Sequence, residues 1–336
     1  VALSNTVETS ALIGTLNTQI EQALNPRIPQ NSRVALIDFP NHANVGDSAI
    51  WLGERAMLKK FKLKDTYNCD WRTYSISHMA QRITDDTIIL IQGGGNVGDI
   101  WPEAQEFREA IITGFPNNSI VQLPQSISFS DASNLQRAKE VFENHPKFTL
   151  FIRDKPSLAF AKENFKCSIA LCPDMAFQLG SLPRPNSPSK KVVWLLRTDK
   201  ESKGFTEQAR EMGLEPCDWL SETANFEKVN RVITGLWKPG QDIWRRLDFC
   251  TGPIYDLTAQ ARLTRGLQIL SAGETVVTDR LHVHILCVLM GIPHVILDNS
   301  YGKVKNYFDT WMTGSSLVHV ADSLPKAQEL IDALIG

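Results

Sequence analysis

The stretch ETVVTDRLHVHILCVLMGIPHVILD, residues 274–298, reads as one complete unit of a parallel sheet. ETVVTD is a strand-length run, RLHVHILCVLMG a helix-length apolar run closed by Gly291, and PHVILD a second strand. Strands that are apolar almost throughout, and joined by a helix, pair in parallel and are covered on both faces. The unit also poses a chemical question. Asp279, Arg280, His282 and His284 crowd the junction of strand and helix, at the mouth of an otherwise apolar segment.

Outward from this unit the alternation recurs. RVALIDF precedes DSAIWLGERAMLKKF, whose Ile50, Met57, Leu58 and Phe61 share one helix face. TIILIQGGG precedes EAQEFREAIITGF, SIVQLPQS precedes DASNLQRAKEVFEN, FTLFIRD precedes PSLAFAKENF, and SIALCPD closes this half. A helix over residues 8–24 stands before the first strand. The proline-rich SLPRPNSPSKK, residues 181–191, is the expected linker. Beyond it KVVWLLRTD restarts the pattern and LPKAQELIDALI ends it, while residues 200–250 are Trp-rich and carry no assignment. The expectation is an α/β protein of two Rossmann-like lobes with parallel sheets, residues 1–180 and 192–336. Its active site then lies in the inter-lobe cleft, beyond the carboxyl ends of the strands.

Bulk properties narrow the function. A chain of 336 residues exceeds one ordinary core, and 43% hydrophobic with 21% charged residues is a soluble globular composition. A net charge of −2 gives no general attraction to nucleic acid or anionic lipid. The six cysteines form no CxxC pair, and Cys172 and Cys287 belong to apolar runs, which reads as reduced, buried thiols. No apolar run is long enough to span a bilayer, and the first 24 residues lack a signal-peptide core. Because the sequence starts on Val, removal of an upstream targeting segment stays open. A cytoplasmic protein, free or at the inner face of the membrane, is expected.

The strand ends carry the candidate chemistry. Asn-Val-Gly-Asp occurs at 44–47 and again at 96–99, each time after a strand. Asp47 and Asp99 are each read as a helix cap or as the base that takes a proton from an attacking hydroxyl. His42 and Asn44 are able to hydrogen-bond sugar hydroxyls. The glycines of QGGGNVGD, Gly94 and Gly95 among them, allow close approach of backbone N–H groups to a ligand, or simply form a tight turn. Neither GxGxxG nor a P-loop is present. Arg153, Arg197 and Arg280 each end an apolar strand, where a guanidinium needs an anion or an ion-pair partner such as Asp154, Asp199 or Asp279. Three at equivalent positions suggest a clamp for carboxylate and phosphate. His282, beside Arg280, is the candidate proton donor, and His284 reads as a core residue. The spacing of His282, His284 and Cys287 fits no standard zinc pattern. Ser300, Tyr301 and Lys303 open the turn after the last apolar strand of the unit.

These segments carry a resemblance. NHANVGDSAIW, IQGGGNVGDIW, LPQSISF, IRDKPS, CPDMAF, VTDRLHVHIL and GIPHVILDNSYGKV, in order from residue 41 to 305, resemble the polysaccharide pyruvyl transferase family, in particular its exopolysaccharide members. The resemblance implies a GT-B-like two-lobed fold and phosphoenolpyruvate as co-substrate, with no other cofactor and no metal. It implies a pyruvate ketal bridging two hydroxyls of a hexose in a polysaccharide or lipid-linked glycan, and a role in exopolysaccharide biosynthesis, with peripheral association to an assembly complex. Donor binding falls to Arg280, Leu281 and His282, with Arg153 as the upstream strand-end arginine. Two rival readings remain. One is a GT-B glycosyltransferase using a nucleotide sugar, with Glu274 or Trp219, Trp237 and Trp244 meeting the nucleoside. The other is a non-catalytic carbohydrate-binding protein.

Overall fold

Two parallel sheets arise from the alternation. The computed structural model describes residues 2–223, 226, 228, 251–300 and 302–335. The first sheet contains β1 (Arg33–Ile37), β2 (Lys64–Cys69), β3 (Ile88–Ile91), β4 (Gly94–Gly98), β5 (Ile120–Ser128), β6 (Phe148–Ile152) and β7 (Ser168–Leu171). Its order is β2-β1-β3-β5-β6-β7, with β4 paired to the outer half of β5. The second contains β8 (Lys190–Leu195), β9 (Pro216–Cys217), β10 (Gly273–Thr278), β11 (His294–Ile296) and β12 (Val318–Val320), in the order β12-β11-β10-β8-β9. In both lobes the first strand lies between the second and the third, so the chain leaves it in opposite directions. Such a reversal opens a crevice beyond the carboxyl ends of the two central strands. The registers hold those ends level: Ile37 pairs with Ile91, and Leu195 with Thr278.

Helices cover the sheets: α1 (Ala2–Leu24), α2 (Val45–Lys60), α3 (Ile76–Arg82), α4 (Pro102–Gly114), α5 (Ala132–Asn144), α6 (Lys155–Asn164), a 3-10 turn (Met175–Leu179), α7 (Phe205–Glu211), α8 (Thr251–Ser271), α9 (Leu281–Met290), α10 (Lys303–Trp311) and α11 (Leu324–Ile335). α9 is the helix of the opening stretch, and every one of its residues is buried. A helix that is apolar all round can only sit inside. It packs against α2 and α1, and one apolar cluster runs through α1, α2, α8 and α9. Within it Phe39 stacks on Tyr255 at 4.0 Å and meets Trp51 edge-on. The Trp51 indole donates to Asp256 on α8 at 2.8 Å, tying the lobes together. Each such large side chain contributes about 1.5–3 kcal/mol by burial.

The stretch expected as a linker lies along the second lobe. Leu182 N–H bonds the Leu289 carbonyl, and Lys190 is already the first residue of β8. No helix among the described residues is long and apolar enough to cross a membrane.

Candidate active site

Both switch points open on one cavity of about 460 Å³. The first lobe contributes Asp38 to Asn44, Asp47, Gln92, Gly93, Gly95 and Asn96; the second contributes Arg197, Asp199, Glu201, Arg280, Leu281, His282 and Lys303. The aromatic residues Trp71 and Trp101, both more than a third exposed, stand on its wall.

On the first lobe, the Asn44 side chain caps α2 by accepting the Gly46 N–H at 3.2 Å, and its amide donates to Asp47 at 2.7 Å. Burial pushes the Asp47 carboxyl upward, but His42, His282, Lys303 and Arg153 outweigh it and hold the group below its ordinary range. The His282 ring lies directly on the first turn of α2, where a side chain at Gly46 would collide with it. Gly95 has the same kind of neighbour. A β-carbon there would lie 2.8 Å from Arg153 Nη2 and strike the Lys303 ammonium, so the two cations meet over bare backbone. Burial first, then Arg153 and Arg197, press the Lys303 pKa down, against Glu201 and Asp47. Behind this floor the Gly93 N–H donates to Glu54 at 2.8 Å, and burial pushes the Glu54 carboxyl well up.

Arg153 is fully buried beneath Gly95 and is not on the cavity lining itself. Its Nη1 donates to Asp174 at 2.6 Å and its Nε to Ser126 Oγ at 3.0 Å. The same Asp174 carboxylate lies 3.4 Å from His282 Nε2. Despite burial, which raises it, His282 and Arg153 hold Asp174 well below the usual carboxylate range. One carboxylate at the end of the first sheet thus meets Arg153 of its own lobe and the His282 ring of the other.

On the second lobe, Arg197 reaches Asp199 at 2.9 Å and Glu201 at 2.7 Å. Arg280 reaches Asp199 at 3.1 Å and Asp218 at 2.6 Å. The three strand-end arginines are therefore not bare: Arg197 has the Asp199 partner that the sequence offered, while Arg153 draws on Asp174, and Arg280 on Asp218 as well as Asp199. A buried guanidinium left without a carboxylate is too costly to fold around. The pairing is incomplete, however. Arg153 Nη2 and Arg280 Nε are buried nitrogens with no hydrogen-bond partner among the described residues, and His282 Nε2 has only its long 3.4 Å approach to Asp174. Buried donors in that state are rare and call for a ligand or water.

Of the residues singled out from sequence, Asn44, Asp47, Gly95, Arg197, Arg280, Leu281, His282 and Lys303 come together on the cavity. Gly94 lies next to Asp47 but off the lining. Ser300 is exposed, its N–H donating to the Glu201 carbonyl, and Tyr301 lies outside the described residues. Asp99 is turned away: it accepts the N–H groups of Ser130 at 2.8 Å and Asp131 at 2.7 Å. Asp154 caps α6 instead of pairing with Arg153, and Asp279 accepts the Arg197 N–H at 2.8 Å. His284 is buried and faces His294 at 2.7 Å. Glu274 is exposed near the start of β10, the end opposite the cavity; Trp219 is largely buried but does line the cavity, and Trp237 and Trp244 lie outside the described residues. Sequence reasoning passed over Asp38, Glu54, Asp174 and Asp218. Asp38, Asp174 and Asp218 each follow closely on a strand, in IDF, CPD and CDW, and the rule that found the arginines applies to them equally.

Comparison with known proteins agrees with this architecture. The family described as Polysaccharide pyruvyl transferase matches residues 44–301. The chain is 34% identical over 315 residues to Pyruvyl transferase 1 of Schizosaccharomyces pombe (strain 972 / ATCC 24843), covering 89% of this chain and 75% of that protein. It is 34% identical over 316 residues to EpsO of Bacillus subtilis (strain 168), a protein also named for pyruvyl transfer, covering 90% and 92%. The crystal structure of a functionally uncharacterised protein from Klebsiella pneumoniae subsp. pneumoniae NTUH-K2044 superposes with a TM-score of 0.61 at 20% identity, covering 92% of this chain and 99% of that one; it shares the fold.

Proposed function

Since the chain belongs to the polysaccharide pyruvyl transferase family, we propose that its donor is phosphoenolpyruvate and its product a pyruvate ketal on two hydroxyls of a hexose, in a polysaccharide or its lipid-linked precursor. The observation that carries this reading is the pair of unsatisfied buried nitrogens on Arg153 and Arg280, gathered from both lobes beside His282 and Lys303. Phosphoenolpyruvate packs a phosphate and a carboxylate onto one small enol, and charge-assisted bonds from such donors suit both groups.

In this scheme Arg153, reaching past Gly95, joins Arg280 and Lys303 in holding the two anionic groups, with Arg197 beside them on the lining. His282 gives its proton to the methylene carbon, supported by Asp174. C2 then becomes electrophilic, a sugar hydroxyl attacks it, phosphate leaves, and a second hydroxyl closes the ketal. Asp47 keeps its charge beside His282 and Lys303 and balances the developing cation. Asn44 and His42 line the acceptor side with Trp71 and Trp101, whose rings each carry a cation on one face (Arg72 and Lys200) and have the other left to meet a sugar.

Incubation with phosphoenolpyruvate and a hexoside, followed by phosphorus NMR and mass spectrometry, tests the proposal. One phosphate released per hexoside, which gains the mass of pyruvic acid less water, supports it. Consumption of a nucleotide sugar in place of phosphoenolpyruvate points to the glycosyltransferase alternative.

A further inference from the structure

Ketal formation requires a group that takes the proton of the attacking hydroxyl, and the two carboxylates proposed from sequence serve it poorly. Asp99 is turned away from the cavity. Asp47 is surrounded by the cations of the donor side, which weaken it as a base.

A third carboxylate stands on the lining. Asp38 is the first residue after β1, at the switch point of the first lobe. Its backbone is left-handed, with φ 71°, a conformation that side-chain-bearing residues adopt at some strain. The residue is only 5% exposed overall, and its carboxylate oxygens, which are not among the enclosed unpartnered atoms of the described residues, open on the cavity. A carboxylate whose acceptors face the cavity is placed to take a hydrogen bond from a bound hydroxyl. We infer that Asp38 is the catalytic base that receives the proton of the first attacking sugar hydroxyl, an assignment that rests on the pyruvyl-transfer reading.

The surroundings of Asp38 fit that duty. Burial lifts its carboxyl to about 7, Arg108 on α4 pulls it back, and Asp70 after β2 and Asp47 on α2 push it further up. Buried Glu54 and the Cys69 thiol also feel its charge. No cation of the donor side is among its main influences, so it keeps an appetite for protons that Asp47 has lost. A base titrating near neutral pH is well matched to a hydroxyl in the cytoplasmic range.

The protons balance. The hydroxyl oxygen bonds to C2 as its proton moves to Asp38, while the enol pair takes the His282 proton at C3. Phosphate then departs with the C2–O electron pair and accepts the proton from Asp38. The second hydroxyl completes the ketal and its proton restores His282.

Asp38→Asn and Asp38→Gly test the inference, since Asn and Gly both tolerate the left-handed backbone and keep the fold. The wild-type rate is expected to rise with pH through about 7. In Asp38→Asn that rise disappears and kcat falls at least about 100-fold, with phosphoenolpyruvate affinity by calorimetry changed less than about threefold. Formate is expected to restore part of the lost rate to Asp38→Gly. Near-wild-type turnover in Asp38→Asn, survival of the acidic limb, or the absence of formate rescue overturns the inference. A wild-type protein that releases no phosphate from phosphoenolpyruvate overturns the underlying reading itself, and the base assignment with it.

Discussion

Gly95→Ala is a one-atom probe of the floor of the cavity. Gly95 does not have the positive φ of its neighbour Gly94, so an alanine fits the backbone. Its methyl carbon would stand 2.8 Å from Arg153 Nη2 and collide with the end of Lys303. Arg153 is pinned by Asp174 and Ser126, whereas Lys303 ends a flexible chain, so the lysine gives way. Losing one charge-assisted bond to the donor removes about 1.5–3 kcal/mol, which corresponds to about 10- to 150-fold weaker binding. Calorimetric titration with phosphoenolpyruvate measures this directly, and a thermal melt of the same sample reports the fold. The expected result is weaker donor binding with a nearly unchanged melt and an unchanged KM for the hexoside. Wild-type donor affinity in Gly95→Ala refutes the claim that Lys303 and Arg153 act together on the donor.

Three further outcomes follow from the same geometry. Arg153→Met leaves Asp174 buried with one cation fewer and is expected to cost about 3–5 kcal/mol in chemical denaturation; a loss under about 1 kcal/mol says that the pair is not what holds Asp174. Glu54 has a folded pKa raised above its unfolded value, so as pH climbs past about 4.3 the unfolded chain gives up a proton that the folded chain keeps, and stability falls. Glu54→Gln removes that loss and is expected to be the more stable protein at pH 7, with the difference shrinking toward pH 4; denaturation curves that differ equally at both pH values contradict it. Asp99→Ala loses the acceptor for Ser130 and Asp131 and is expected to cost about 1 kcal/mol while leaving kcat intact; a hundredfold loss of kcat would return Asp99 to the chemistry.

Periodicity made much of the fold legible before any coordinates. The buried strands β1, β3, β6, β8 and β10 are near-continuous apolar runs, because helices cover both of their faces. β2, KDTYNC, escaped notice because it is an edge strand with exposed and half-buried positions. β4, GGNVG, was expected as a turn, since glycine carries no strand signal; its pairing with β5 is a tertiary effect. α8 adjoins the Trp-rich stretch and shows only a weak apolar stripe, since it is wedged between lobes and uses both faces.

The site was legible to the extent that strand ends are. Arg280, His282 and Lys303 follow from the opening stretch and its sequel. What one chain segment cannot reveal is the partner. Asp174 reaches Arg153 and His282 from a different strand end, and Asp218 reaches Arg280 from β9. A sequence shows that a buried arginine requires a counter-charge, but which carboxylate supplies it depends on sheet order. The strain at Asp38 is likewise invisible without a φ angle.

A crystal structure with an inert phosphoenolpyruvate analogue bears most directly on all of this. The account predicts its phosphate and carboxylate against Arg153 Nη2, Arg280 Nε and Lys303, with the methylene position facing His282 Nε2. An analogue bound elsewhere, with those nitrogens still unmet in the inter-lobe cavity, would contradict it.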